Sequence, residues 1–233
     1  KWVLSLYNRL IGEVRENIDR YELGIAVSKL YDFIWDIFCD WYIELVKPRL
    51  QEKGSASNVA AQNTLTYVLS NTLKLLHPFM PFITEEIWLS LPHNGESIMV
   101  SAYPEYKEEL NFPESVRNIE FMLEAIRAIR NRRAEMNVPP KRLAKVIIAT
   151  ADKALFADKE PYFKRLASAS ELCVVDSCND EGTVRIITNA CEIFLPLADI
   201  VDTDAERERL TKELEAAESE IKRAEGKLSN AEF

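Results

Sequence analysis

The chain has 233 residues, 47% of them hydrophobic, which is enough to fill the core of one or two domains. Its 38 carboxylates outnumber 29 lysines and arginines for a net charge of −9, which excludes a general affinity for polyanions and leaves any nucleic-acid role to a local patch. No run of about 18 apolar residues offers a membrane span, no secretory leader is read, and the six glycines form no phosphate-cradling loop.

Residues 1–18 carry Val3, Tyr7, Leu10, Val14 and Ile18 at helical spacing, and the helix starts abruptly at Lys1, as expected of a piece of a longer chain. A second helix is predicted from about Gly24 to Val46, striped by Val27, Leu30, Ile34, Phe38, Trp41 and Leu45, and stopping before Pro48. Gln51 to Ser57 reads as a polar loop. A third helix over about 58–76, with Val59, Leu65, Leu69, Leu73 and Leu76 inward, leads into the corner His77-Pro78-Phe79-Met80-Pro81-Phe82. There Thr84 is expected to cap a short fourth helix, with Glu85 and Glu86 in its first turn. Leu75, Leu76, Phe79, Phe82 and Trp88 should be buried. Four helices with short links predict an antiparallel bundle over 1–92.

Residues 93–113 are polar, acidic and without a period, like a connecting strap. A long helix resumes at Glu114, with Ile119, Met122, Ile126, Ile129 and Arg133 on one line, and ends at Pro139-Pro140. A β-type run over 143–150, a helical piece over about 152–167 and strands at 171–175, 183–188 and 191–195 follow, the last two joined through Asn189-Ala190. Residues 114–200 therefore predict a small α/β junction domain. From Thr203, which forms a capping box with Glu206, residues 201–233 present Leu210, Leu214, Ala217, Ile221, Ala224 and Leu228 as a coiled-coil seam. The fold class is mainly α, a helical bundle followed by a small α/β unit and the start of a coiled coil. A lone seam needs a partner, so the arm is expected either to fray or to pair with the arm of another copy.

Cys39, Cys173, Cys178 and Cys191 are sparse and irregular, which points to a reducing, cytoplasmic setting and to no metal site. The two histidines, His77 and His93, lie in no catalytic pattern, so no catalytic residue is assigned.

Three stretches carry a resemblance: Lys74 to Pro92 (KLLHPFMPFITEEIWLSLP from Lys74), Phe38-Cys39-Asp40-Trp41-Tyr42-Ile43-Glu44 with Lys47-Pro48, and Ile129 to Pro140. Together they resemble the tRNA-binding region of the valyl-tRNA synthetase family of class I synthetases, in order and along nearly the whole chain. The equivalent region of an isoleucyl-tRNA synthetase is the nearest alternative. The resemblance implies an anticodon-binding bundle and the first helix of a tRNA-binding arm, belonging to an enzyme that joins valine to tRNA(Val) with ATP and Mg. Those cofactors, like the adenylation signatures, would sit in other parts of the enzyme. It also implies that Ile43 packs on an anticodon base beside Tyr42, with Lys47 and Arg49 near loop phosphates.

Arg117 to Lys145 holds eight cations against three carboxylates, a local excess of five. Arg127, Arg130, Arg133, Lys141 and Arg142 are the candidates there for contacts to the tRNA backbone, which position RNA without reading it. Arg133 is the weaker of the Arg130/Arg133 pair because it shares the line of Ile126 and Ile129. In the arm, Arg207, Lys222, Arg223 and Lys227 are candidates for the tRNA elbow, or else form the salt-bridged surface of a coiled coil. The partner implied is tRNA, with neither DNA nor membrane. The rival reading is a helical protein-interaction module that docks through the heptad seam.

Overall fold

The computed structural model describes residues 1–179, 181–200, 211, 214, 215 and 217–222. The chain divides into two units, residues 1–120 and 121–233.

In the first unit, α1 (Trp2–Asp19) buries Val3, Tyr7, Leu10, Ile11 and Val14. It ends in a Schellman turn. Tyr21 takes φ of 61°, its N–H donates to the Ile18 carbonyl at 2.9 Å, and the Glu22 N–H reaches Asn17 at 2.8 Å. α2 (Leu23–Asp32) then runs without a break through a π-helical stretch, Phe33–Tyr42, into α3 (Ile43–Gln51). The predicted stop before Pro48 is wrong, because Pro48 lies inside α3. Its fixed φ suits a helix, and the one bond it removes falls a turn before the end. Asn58, 4% exposed, satisfies the terminal carbonyls of Arg49 and Leu50, each at 3.0 Å.

The π stretch also moves the buried face. Its bonds span five residues, so Phe33 and Phe38 fall on one side, and Trp41 and Tyr42 follow them inward. Of the expected stripe, Leu30, Phe38, Trp41 and Leu45 are buried, Ile34 is half-buried and Val27 faces solvent, while Ala26 and Phe33 are buried in addition. α4 (Ala56–Leu76) begins at an N-cap, where Ser55 Oγ accepts the Asn58 N–H at 3.0 Å, and it buries Ala61, Val68, Thr72, Leu73 and Leu75.

At the proline corner, α5 (Pro81–Leu89) starts on Pro81 itself, whose missing N–H and preset φ suit a first helical position. Thr84 is therefore not the cap. It sits within the helix, fully buried, donating to the Met80 carbonyl at 2.8 Å and lying 2.8 Å from His77 Nδ1. Leu75 and Trp88 are buried as expected, but Phe82 is 91% exposed. Leu73, Trp88 and Ile98 form a core cluster with Leu69 and Leu91 packed against it, and the His93 ring lies 4.2 Å from that of Trp88.

Residues 93–112 are irregular apart from single 3-10 turns at Ile98–Val100 and Glu108–Leu110. Polar side chains of α1 hold the segment. Asn8, 1% exposed, pairs with both the N–H and the carbonyl of Lys107 at 2.8 Å. Ser5 Oγ donates to the Leu110 carbonyl and accepts from the Phe112 N–H.

α6 (Pro113–Glu135) contains the division between the units and ends in a second Schellman turn. Asn137 is in the left-handed region at φ 52°, and the Val138 N–H donates to the Arg133 carbonyl at 2.9 Å. The second unit carries a four-stranded mixed sheet in the order β2-β1-β4-β3. β1 (Ala144–Ala149) runs parallel to β2 (Ala169–Val175) and antiparallel to β4 (Glu192–Pro196), which pairs with β3 (Thr183–Ile187). The β3–β4 turn through Asn189 and Ala190 forms as predicted, closed by the Thr188 N–H to Cys191 bond at 3.0 Å.

The single helix expected over 152–167 is instead a 3-10 turn, Lys153–Leu155, and α7 (Glu160–Leu166). Asp158 at φ 56° breaks the run, and Pro161 opens the helix. Met122, Ile126, Ile129, Ile148, Phe156, Phe163 and Ile193 are fully or almost fully buried. α8 (Leu197–Ile200) follows β4. Of the predicted seam, Leu214, Ala217 and Ile221 are helical and exposed. Leu210, Ala224 and Leu228, like the Thr203–Glu206 capping box, lie outside the described residues.

Candidate nucleic-acid interface

The candidates around the start of α3 divide into one buried ring, one half-buried aliphatic and two engaged cations. Tyr42 is 8% exposed, with its ring 5.8 Å from that of Phe38. Burial raises the pKa of its phenol, opposed by the Arg49 charge and a hydrogen bond with Thr64. Tyr42 thus packs into the bundle core at the end of the π stretch. Ile43, the next residue, is half-buried and keeps an accessible edge. Lys47 is paired with Glu44. Arg49 clamps the first turn of α4, with Nε donating to Ser57 Oγ at 2.9 Å and Nη2 to the Ser57 carbonyl at 3.0 Å.

The basic run divides in a similar way. Arg133 is 6% exposed, and its Nη2 donates to the carbonyls of Pro139 and Arg142, at 3.2 and 2.5 Å. Desolvation lowers the pKa of its guanidinium. It pins the turn after α6 from a buried position rather than from the surface. Arg130 Nε donates to the Leu166 carbonyl at 2.5 Å, tying α6 to the end of α7. Arg142 holds the short α8, with Nε to the Asp199 carbonyl at 2.5 Å and Nη2 to Ala198 at 3.2 Å. Arg127 and Lys141 are exposed. In the arm, Lys222 is exposed on helical backbone, while Arg207, Arg223 and Lys227 lie outside the described residues.

One feature of the first unit has no counterpart among the sequence candidates. Where residues 102–107 cross α1 and α4, a groove of about 510 Å³ opens, lined by Arg15, Tyr67, Asn71, Lys74 and Lys107 among others. Tyr67, Asn71 and Lys74 recur at helical spacing on one face of α4, a signal that the sequence holds but does not single out.

Among the described residues, no group of three or more His, Cys, Asp or Glu side chains could hold a metal ion, and no helix is long and apolar enough to cross a membrane.

The sequence profile described as the anticodon-binding domain of tRNA ligase matches residues 1–148, and that described as the valyl tRNA synthetase tRNA binding arm matches residues 202–233. Valine--tRNA ligases from Clostridium perfringens, Clostridium acetobutylicum and Oceanobacillus iheyensis are 48%, 46% and 41% identical over the whole of this chain. The chain spans 27% of the length of each. With one profile covering more than half of it and the arm profile following in order, the chain belongs to the anticodon-binding domain family of tRNA ligases, homologous to part of valine--tRNA ligase.

Proposed function

We propose that this chain grips tRNA(Val) for a valine--tRNA ligase, the bundle engaging the anticodon stem-loop and the arm the tRNA elbow. The observation that carries the reading is the order of two tRNA-binding family matches along one chain, the bundle first and the arm last. The chemistry of the ligase, activation of valine by ATP with Mg, belongs to portions of such an enzyme other than this one. The role here is to hold and orient RNA, which requires phosphate contacts for affinity and at least one exposed surface for an unstacked base.

Ile43, at the accessible start of α3, is the residue on which base preference should depend. The test is a titration of the chain with labelled tRNA(Val) and with the same transcript carrying a changed anticodon. The expected result is binding of both, tighter for the valine anticodon, with that preference reduced in Ile43→Asp. Absence of binding to either transcript by the folded chain would overturn the reading. Binding insensitive to anticodon and to Ile43→Asp would restrict it to backbone contact.

A further inference from the structure

We infer that the groove between α1, α4 and residues 102–107 is a nucleotide subsite, which takes an RNA phosphate on Lys74 and Lys107 and the attached base against Tyr67. The inference rests on the RNA-binding reading above and adds a place on the molecule that the family resemblance did not assign. Three cations line the groove against one carboxylate, Glu105, in a chain that is acidic overall.

Arg15 is committed within the wall. Its Nη1 donates to the Pro104 carbonyl at 3.0 Å, Glu105 lies 3.9 Å away, and the guanidinium sits 6.0 Å from the Tyr103 ring centroid. That leaves two ammonium groups, and among the described residues neither Lys74 nor Lys107 has an ion-pair partner. Both are pre-positioned. Lys74 stands on α4, and the backbone of Lys107 is fixed on both sides by buried Asn8. Two cations held on rigid elements suit a phosphate, whose binding then orders little else.

Tyr67 supplies the second half of the recognition. It is 36% exposed, and its ring meets that of Tyr7 at 6.2 Å in a T-shaped contact, which restrains the ring while part of it stays accessible. An aromatic face beside cations is how single-stranded nucleic acid is held without a fixed sequence. Asn71, one turn on, donates its amide to the Tyr67 carbonyl at 2.8 Å, so its side-chain oxygen is left as an acceptor for a base edge.

The test uses the full chain and tRNA(Val) containing 4-thiouridine, with crosslinks mapped by mass spectrometry, beside salt titrations of Lys74→Gln, Lys107→Gln and Tyr67→Leu. Crosslinks are expected on the α4 peptide that contains Tyr67. Either lysine variant should lower the salt slope by about one unit. Tyr67→Leu should weaken binding by roughly tenfold. Lys74→Arg should restore most of the slope lost in Lys74→Gln, which a change in folding alone would not do. If wild-type chain binds tRNA but crosslinks only elsewhere, and the lysine variants keep the wild-type slope, the groove is not the subsite and the tRNA-binding reading stands. If wild-type chain binds no tRNA, both fall. If polyglutamate of matched charge competes as well as RNA, the groove is an acidic-peptide site instead, and the inference is overturned.

Discussion

Arg133 shows how a charge in a basic run can belong to the fold rather than to a ligand. Its side chain bonds two carbonyls of the turn that follows α6, while its own carbonyl accepts the closing bond of the Schellman turn. Removing it leaves the Pro139 and Arg142 carbonyls short of a donor in a partly buried place. Arg133→Ala should therefore lower the stability of the second unit by about 2–4 kcal/mol in urea denaturation, and the folded fraction should keep the tRNA salt slope. Lys141→Ala, at an exposed position, should do the reverse, with a change under about 0.5 kcal/mol and a slope lower by about one. A stable Arg133→Ala with a reduced slope would return that residue to the RNA surface. Its burial was legible in the sequence, because Arg133 repeats the spacing of Ile126 and Ile129. The occupation of Arg130 and Arg142 was not, since their acceptors lie 36 and 57 residues away in the chain and only the fold brings them near.

Among elements, the regular helices were readable and the irregular parts were not, for a physical reason in each case. A 3.6-residue stripe identifies α1, α4 and α6, whereas the five-residue turns of Phe33–Tyr42 shift the buried face without interrupting the apolar pattern. The segment over 93–112 reads as a loose strap because its order comes from Ser5 and Asn8, about a hundred residues earlier. Turns are set by backbone conformation that the sequence marks only when glycine is present. At Tyr21 it is absent, and a tyrosine occupies the left-handed position between α1 and α2 at φ 61° while 90% exposed. A non-glycine residue is strained there by about 1–2 kcal/mol, and so exposed a ring contributes little packing. Glycine relieves the strain but loses more entropy on folding, by about 0.5–1 kcal/mol. Tyr21→Gly should then stabilise the first unit by about 0.5–1 kcal/mol, read as a higher urea midpoint with unchanged cooperativity. A lower midpoint would mean that the ring has a packing role.

At the scale of the whole molecule, an acidic chain is asked to hold a polyanion, and ionic strength decides which charge RNA meets. Near 0.15 M the screening length is about 8 Å, so a phosphate at the Lys74–Lys107 groove or beside Lys141 senses the cations next to it and little else. The arginines bonded to backbone carbonyls elsewhere in the chain also contribute charge to the run from Arg117 to Lys145. With three to five phosphates neutralised, log K should fall with log salt at a slope of about −2 to −4. Near 0.01 M the screening length grows to about 30 Å, and the net charge of −9 acts over the whole chain. The repulsion then opposes the local attraction, so the plot should flatten toward low salt rather than continue as a straight line. Docking through apolar seam residues such as Leu214 and Ile221, which are exposed, would give almost no slope at any salt. The measurement is a fluorescence anisotropy titration of labelled tRNA from about 0.01 to 0.3 M salt. A line that stays straight to the lowest salt would show that RNA never senses the acidic remainder of the chain, and a flat line throughout would remove phosphate contact as the source of affinity.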